Sequence, residues 1–188
     1  MSKYYVIIVS LILAFSCSDD ISDPCANVVC LNGGGCNNGK CACPPGYLGD
    51  DCGLTMQPKK VRLTKIQVTK FPPTNTNGEA WDSNDGPDLY VNLGLVDGFS
   101  YLTTEFERIN NAISGQVYEW DIEIIYELEP VTSDFVVDLR DHDDTGFHPL
   151  IGRGLFKPYD PTRGLPASIT IESSSGLVSF RLYVSYSF

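Results

Sequence analysis

From residue 61 onward, apolar and polar positions alternate in short runs separated by turn residues. The clearest run is Val117 to Leu128, where Trp120, Ile122, Ile124, Tyr126 and Leu128 alternate with Asp121, Glu123, Ile125 and Glu127. The last run sets Val178, Phe180, Leu182, Val184 and Tyr186 against Ser179, Arg181, Tyr183 and Ser185. Period two with one polar face marks antiparallel strands packed on one side only. Comparable runs lie near 61–70, 89–96, 101–106, 134–140, 151–156 and 167–173. A helical turn fits around Glu105 to Asn111, and no stretch demands a long helix. Eight such strands in about 130 residues predict an all-β domain, an eight-stranded antiparallel β-sandwich over residues 61–188.

The first sixty residues follow other rules. Lys3 precedes an apolar run from Tyr4 to Phe15 broken only by Ser10. A membrane-spanning helix needs roughly 20 such residues, so residues 1–16 read as an export leader. Leu13-Ala-Phe-Ser-Cys17, followed by Ser18-Asp19-Asp20, resembles a bacterial lipoprotein leader. That resemblance implies a chain that starts, after cleavage, at a lipid-modified (palmitate-bearing) Cys17. The Cys-Ser-Asp-Asp start is similar to surface lipoproteins of Bacteroidetes-type bacteria, which implies a lipid-anchored protein of the outer membrane or cell surface. The simpler alternative is an ordinary signal peptide cut near Ser16, with Cys17 spare. Residues 17–24 then form a short acidic tether.

All seven cysteines lie between positions 17 and 52. Setting Cys17 aside leaves six within residues 25–52, an even number in a segment too short to fold on a hydrophobic core alone. Cross-links that restrict the unfolded chain compensate, typically by ~2–4 kcal/mol each. A zinc site is the competing use of clustered cysteines, but no histidine lies nearby and an exported protein meets oxidising conditions. The spacing Cys25-x4-Cys30-x5-Cys36-x4-Cys41-x-Cys43-x8-Cys52, with Asn32-Gly-Gly-Gly35 and Pro44-Pro-Gly-Tyr-Leu-Gly49, resembles an EGF-like domain over its whole length. The resemblance implies the pairing Cys25–Cys36, Cys30–Cys41 and Cys43–Cys52. Calcium-binding members of that family carry ligands just before the first cysteine. Here Ser22 and Pro24 depart from their pattern, which implies a spacer or contact module without calcium. Residues 53–60, with Pro58, read as a polar linker.

Two acidic loops interrupt the strand pattern. After the run Val137, Leu139 against Asp138, Arg140, the chain places Asp141, Asp143 and Asp144 within four residues. Carboxylates so close repel one another unless a cation sits between them, and hard oxygen ligands suit calcium. Taken alone, this loop reads as a solvated acidic turn. Upstream, Trp81-Asp-Ser-Asn-Asp-Gly-Pro-Asp-Leu-Tyr-Val91 leads into a strand through a second acidic loop. Asp88-Leu-Tyr-Val91 resembles the Asp-Pro-Tyr-Val strand opening of C2 domains, and Asp141-His-Asp143 followed by Ile151-Gly152 keeps that family's second-loop spacing. Carried over by position, the resemblance implies a C2-like sandwich with calcium ligands at Asp82, Asp88, Asp141 and Asp143. The family's fifth carboxylate falls on Pro149, which has no ligating side chain, so one calcium ion is expected rather than two. Asp85 and Asp144 are additional acids able to substitute.

A net charge of -11 argues against a nucleic-acid partner, which requires a basic footprint. The only two histidines, His142 and His148, both fall in the acidic loop. With Asp143 or Asp144 they offer a zinc donor set, but their spacing is weak evidence and solvent-facing loop residues are expected. No serine stands in a recognisable nucleophile elbow, and Ser173-Ser-Ser-Gly176 reads as a β-turn. Trp81, Phe147 and Tyr159 are candidate exposed aromatics near the loops, with core packing the alternative for Trp81. The expected function is non-enzymatic: a lipid-anchored extracellular binding or adhesion protein, with a glycan, protein or lipid headgroup as ligand. The rival readings are an accessory module of an extracellular enzyme system and an ion-independent structural surface component. If Cys17 carries the anchor, Cys17→Ala moves the protein from the membrane fraction to the soluble fraction. An unchanged membrane fraction on cell fractionation rules the anchor out.

Overall fold

The computed structural model describes residues 23–188 apart from Asn84, Phe99 and Thr145, and leaves aside the side chains of Ser100 and Tyr101. The leader and Cys17 therefore lie outside the described residues. Among those described, no helix is long and apolar enough to cross a membrane.

Four short strands build the N-terminal module: β1 (Gly35–Asn37), β2 (Lys40–Ala42), β3 (Tyr47–Leu48) and β4 (Leu54–Thr55). β1 pairs with β2 and β3 with β4, both antiparallel. Cross-links join Cys25 to Cys36, Cys30 to Cys41 and Cys43 to Cys52, the pairing that the EGF-like resemblance implies. Cys52 is fully buried, whereas Val29, Leu31 and Leu48 are exposed, so the cross-links substitute for a core.

Eight further strands form the sandwich: β5 (Lys60–Lys70), β6 (Leu89–Leu95), β7 (Ser100–Thr103), β8 (Tyr118–Glu127), β9 (Phe135–Asp141), β10 (Leu150–Phe156), β11 (Ser168–Glu172) and β12 (Ser179–Ser187). They make two four-stranded sheets, ordered β10-β9-β6-β7 and β11-β12-β5-β8, with every pairing antiparallel. Alternate residues of each strand meet in one core, with Leu63, Ile66, Leu93, Phe135, Leu139, Phe180 and Leu182 fully or almost fully buried. A single 3-10 turn, Glu105–Glu107, follows β7 where the sequence allows one helical turn.

β8 departs from the alternation expected of it. Trp120 and Ile122 are buried, but Ile124 is 63% exposed. The register explains the change: Leu63 faces Tyr126 and Lys65 faces Asp121, so β8 has more residues than β5 across this interval. The excess bulges outward on an edge strand and carries Ile124 out of the core.

Where β10 crosses the core, Gly152 and Gly154 take inward positions. A Cβ on Gly154 would lie 2.4 Å from Cγ2 of Ile171 in the opposite sheet. The sheets are therefore drawn together beside the loop that opens β10, and this fixes one wall of the acidic end. The modules also touch. The amide of Met56 donates to the Gly46 carbonyl at 2.8 Å, and that of Lys59 to the Ser187 carbonyl at 2.8 Å. Gly46, at φ +90°, leaves room for the Phe188 ring and for Leu165. Tyr159, a candidate exposed aromatic, is instead buried, with its hydroxyl 3.4 Å from that of Thr55. Leu54–Thr55 pair with Tyr47–Leu48 and Lys60 opens β5, so three of the eight residues of the polar segment 53–60 lie in strands.

Gly154→Ala is expected to destabilise the sandwich by ~1–3 kcal/mol through overpacking. Thermal unfolding checks this in two backgrounds. The penalty should shrink when Ile171→Ala removes the opposing methyl, and an equal penalty in both would exclude the close approach as its cause.

Candidate metal centre

Strand parity builds the site. In β9, Phe135, Val137 and Leu139 face the core and are fully buried, and the next residue of the same parity is Asp141. Its side chain has no exposure to solvent. Asp141 sits opposite Leu89 in the ladder with β6, which brings the preceding residue, Asp88, alongside. The amide of Asp88 donates to Oδ1 of Asp141 at 2.7 Å. The Asp141 amide in turn donates to the Pro149 carbonyl at 3.0 Å, and that of His142 to the Asp88 carbonyl at 2.9 Å. The two acidic loops and the start of β10 are thus tied together by backbone bonds.

Ligating atoms of Asp82, Asp141 and Asp143 all lie within 4.8 Å of one another. Oδ2 of Asp141 is buried without a hydrogen-bond partner. An unsatisfied buried carboxylate oxygen is costly, and burial raises the Asp141 carboxyl to about 6, reinforced by the charges of Asp82, Asp143 and Asp88 and opposed by the Asp88 amide bond. Asp82 is also shifted upward, first by burial and then by Asp143, Asp88 and Asp85.

The sequence-derived ligands therefore divide. Asp82, Asp141 and Asp143 converge. Asp88 faces elsewhere: its Oδ1 accepts from the Asn111 amide at 2.9 Å, and its Oδ2 lies 3.9 Å from Nε of Arg108. Asp85 and Asp144 are exposed and outside the converging group. Trp81 is half-buried against the core, with Nε1 donating to the Pro72 carbonyl at 3.0 Å, while Phe147 is 74% exposed at the loop tip.

His142 and His148 are not the solvent-facing loop residues expected. Their rings stack with centroids 4.5 Å apart and cover Tyr90 of β6, which is almost fully buried. Burial raises the Tyr90 hydroxyl pKa. Glu105 completes this second cluster, and sequence reasoning passed over it because nothing in the spacing ties residue 105 to the loop at 142–148.

Residues 22–52 match the family model for the EGF-like domain. Over 71 residues the chain is 36% identical to Protein glp-1 of Caenorhabditis elegans, a match covering 37% of this chain and 5% of that protein. The chain thus spans only a small fraction of that relative's length. Three similar solved structures fall between 10% and 15% identity. One is described as a C2 domain (14% identity, TM-score 0.44, covering 69% of this chain and 98% of that one). Another is a C2 domain protein from Ramazzottius varieornatus (10%, TM-score 0.40, covering 70% and 91%). The third is human GIVD cytosolic phospholipase A2 (15%, TM-score 0.41, covering 70% and 17%). The chain is an all-β protein in which an EGF-like disulfide module precedes an eight-stranded sandwich. Such a module fits an extracellular or cell-surface protein, where disulfides persist.

The upward shift of Asp141 has a definite sign. Without metal, the native state holds this proton more tightly than the unfolded chain, so stability falls as pH rises from about 4 to about 6 and is level above that. Asp141→Asn retains an oxygen for the Asp88 amide and removes the charge. It should reduce that slope, leaving the contribution of Asp82, and stabilise the metal-free protein at neutral pH by on the order of 2 kcal/mol. Denaturant unfolding in chelator across this pH range checks it.

Proposed function

We propose that the chain is a non-enzymatic extracellular binding protein whose acidic loop end is organised by one calcium ion on Asp82, Asp141 and Asp143. The observation that carries this reading is the buried Oδ2 of Asp141, left without a partner beside two further carboxylates. Two oxygens on opposite sides of one calcium, each ~2.4 Å from it, would stand ~4.8 Å apart, within which span these atoms lie. Calcium takes 6–8 oxygens in flexible geometry, so loop carbonyls and water can complete a shell that three carboxylates begin. Magnesium, with shorter bonds and strict octahedral demands, suits such loops less well.

In this reading the ion holds the two loops in one arrangement for a glycan or protein partner, and adhesion at a cell surface is the role. Exposed Phe147 beside the site favours a second version, contact with lipid headgroups and their acyl boundary. The proposed anchor is a lipid on Cys17, as in bacterial surface lipoproteins, with the EGF-like module as the spacer that carries the sandwich outward.

Thermal unfolding with added calcium tests the ion. Extracellular calcium modules bind with Kd of ~10⁻⁴–10⁻³ M, so calcium at several times Kd should stabilise by ~1 kcal/mol or more. For a chain of this size that corresponds to a rise of ~2–4 °C per kcal/mol. The rise should vanish in Asp141→Asn and Asp143→Asn. Absence of any calcium-dependent shift in the unaltered chain refutes the reading. Where calcium does bind, a glycan array and liposome pelleting, each with and without the ion, separate the two versions.

A further inference from the structure

We propose a second metal site on the opposite side of the same loop, formed by Glu105, His142 and His148 and suited to a zinc-class divalent ion. Glu105 belongs to the 3-10 turn after β7, His142 directly follows β9 and His148 closes the loop before β10. One ligating atom from each lies within 4.8 Å of the other two. Their backbones are held independently of any ion. His142 donates its amide to the Asp88 carbonyl, Arg140 Nη1 donates to the His148 carbonyl at 3.0 Å, and the Glu105 amide donates to Thr103 Oγ1 at 3.3 Å.

The distances favour ligation over hydrogen bonding. Nε2 of His142 stands 3.5 Å and Nε2 of His148 stands 3.9 Å from Oε1 of Glu105. Good N–H···O bonds close to ~2.7–3.2 Å, so neither contact is a well-formed one. Four ligands around zinc at ~2.0–2.1 Å stand ~3.4 Å apart along each tetrahedral edge. The two Glu105–histidine separations come within about half an ångström of that edge. Two imidazoles with one carboxylate are a donor set for zinc, copper, nickel or iron rather than for calcium, and they leave a fourth position for water. All three side chains are partly shielded from solvent, and the imidazoles lie over buried Tyr90, which restricts their rotation.

One contact sets a condition. The Asp143 amide donates to Nδ1 of His148 at 3.2 Å. A neutral imidazole that ligates through Nε2 carries its proton on Nδ1, so a loaded His148 must release the Asp143 amide. The site itself does not depend on calcium binding.

The test is titration of the tag-free full chain with zinc in calcium-free buffer, repeated with cobalt, whose visible absorption reports tetrahedral coordination. The expected result is one zinc per chain, with intense cobalt bands. His142→Gln and His148→Gln should each weaken binding by more than about tenfold, a loss that removing groups one shell further out already produces. Asp82→Asn, in the acidic group, should bind zinc unchanged. Far-ultraviolet circular dichroism of each variant without metal confirms that it is folded, and Glu105→Gln serves in place of any histidine variant that is not. Failure of the unaltered chain to bind zinc overturns the proposal, as does binding that survives both histidine substitutions or is lost in Asp82→Asn. Loss of the calcium response alone would leave every one of these outcomes unchanged.

Discussion

The core-facing alternation of β9 ends in a carboxylate, and the chemistry of the acidic end depends on that. Phe135, Val137 and Leu139 fix the parity by filling the sandwich, and the two-residue repeat then commits Asp141 to the same side. A one-residue slip would expose the carboxylate but would also eject those three side chains, a far larger loss. The strand therefore imposes a buried acid that local solvation would never select. The Asp88 amide satisfies one oxygen, and the other is buried without a hydrogen-bond partner.

The same parity separates two kinds of donor. Asp141 and Asp143 join Asp82, whereas His142 between them joins His148 and Glu105 over Tyr90, so neighbouring loop residues serve two different donor groups. Glycines at 152 and 154 then bring β10 close to the opposite sheet and hold the returning limb of the loop. Packing and chemistry are coupled here because the residues that fill the core also aim the ligands.

Much of this is legible in the sequence. All eight sandwich strands fall on strand-like runs of the sequence, most cleanly in β12, where one buried face leaves a binary pattern. The Cys25–Cys36, Cys30–Cys41 and Cys43–Cys52 links are those that the resemblance to EGF-like domains implies. Other features depend on partners distant in the chain. Ile124 has the right parity for the core, yet a bulge set by β5 pairing expels it. Asp88 has the right position in its loop, but Asn111 and Arg108 hold its carboxylate elsewhere. Tyr159 packs in the sandwich core while its hydroxyl reaches Thr55 of the preceding module. Glu105 joins the histidines only because β7 and β9 flank the same central strand.

The contacts between the modules have a mechanical meaning. β5 leaves the EGF-like module at Lys60, with Lys59 bonded to Ser187 at the end of β12, while the acidic loops lie where β9 ends and β10 begins. β10 runs from those loops back toward Tyr159 and the first module. A tension applied between the acidic loops and the N-terminal module thus travels along the strands. It loads their ladder bonds together in shear rather than opening them one at a time. The short Met56–Lys59 segment, bonded at both ends, extends that load path into the disulfide-stapled module. Pulled between the acidic loops and the first module, the sandwich would answer with many ladder bonds at once.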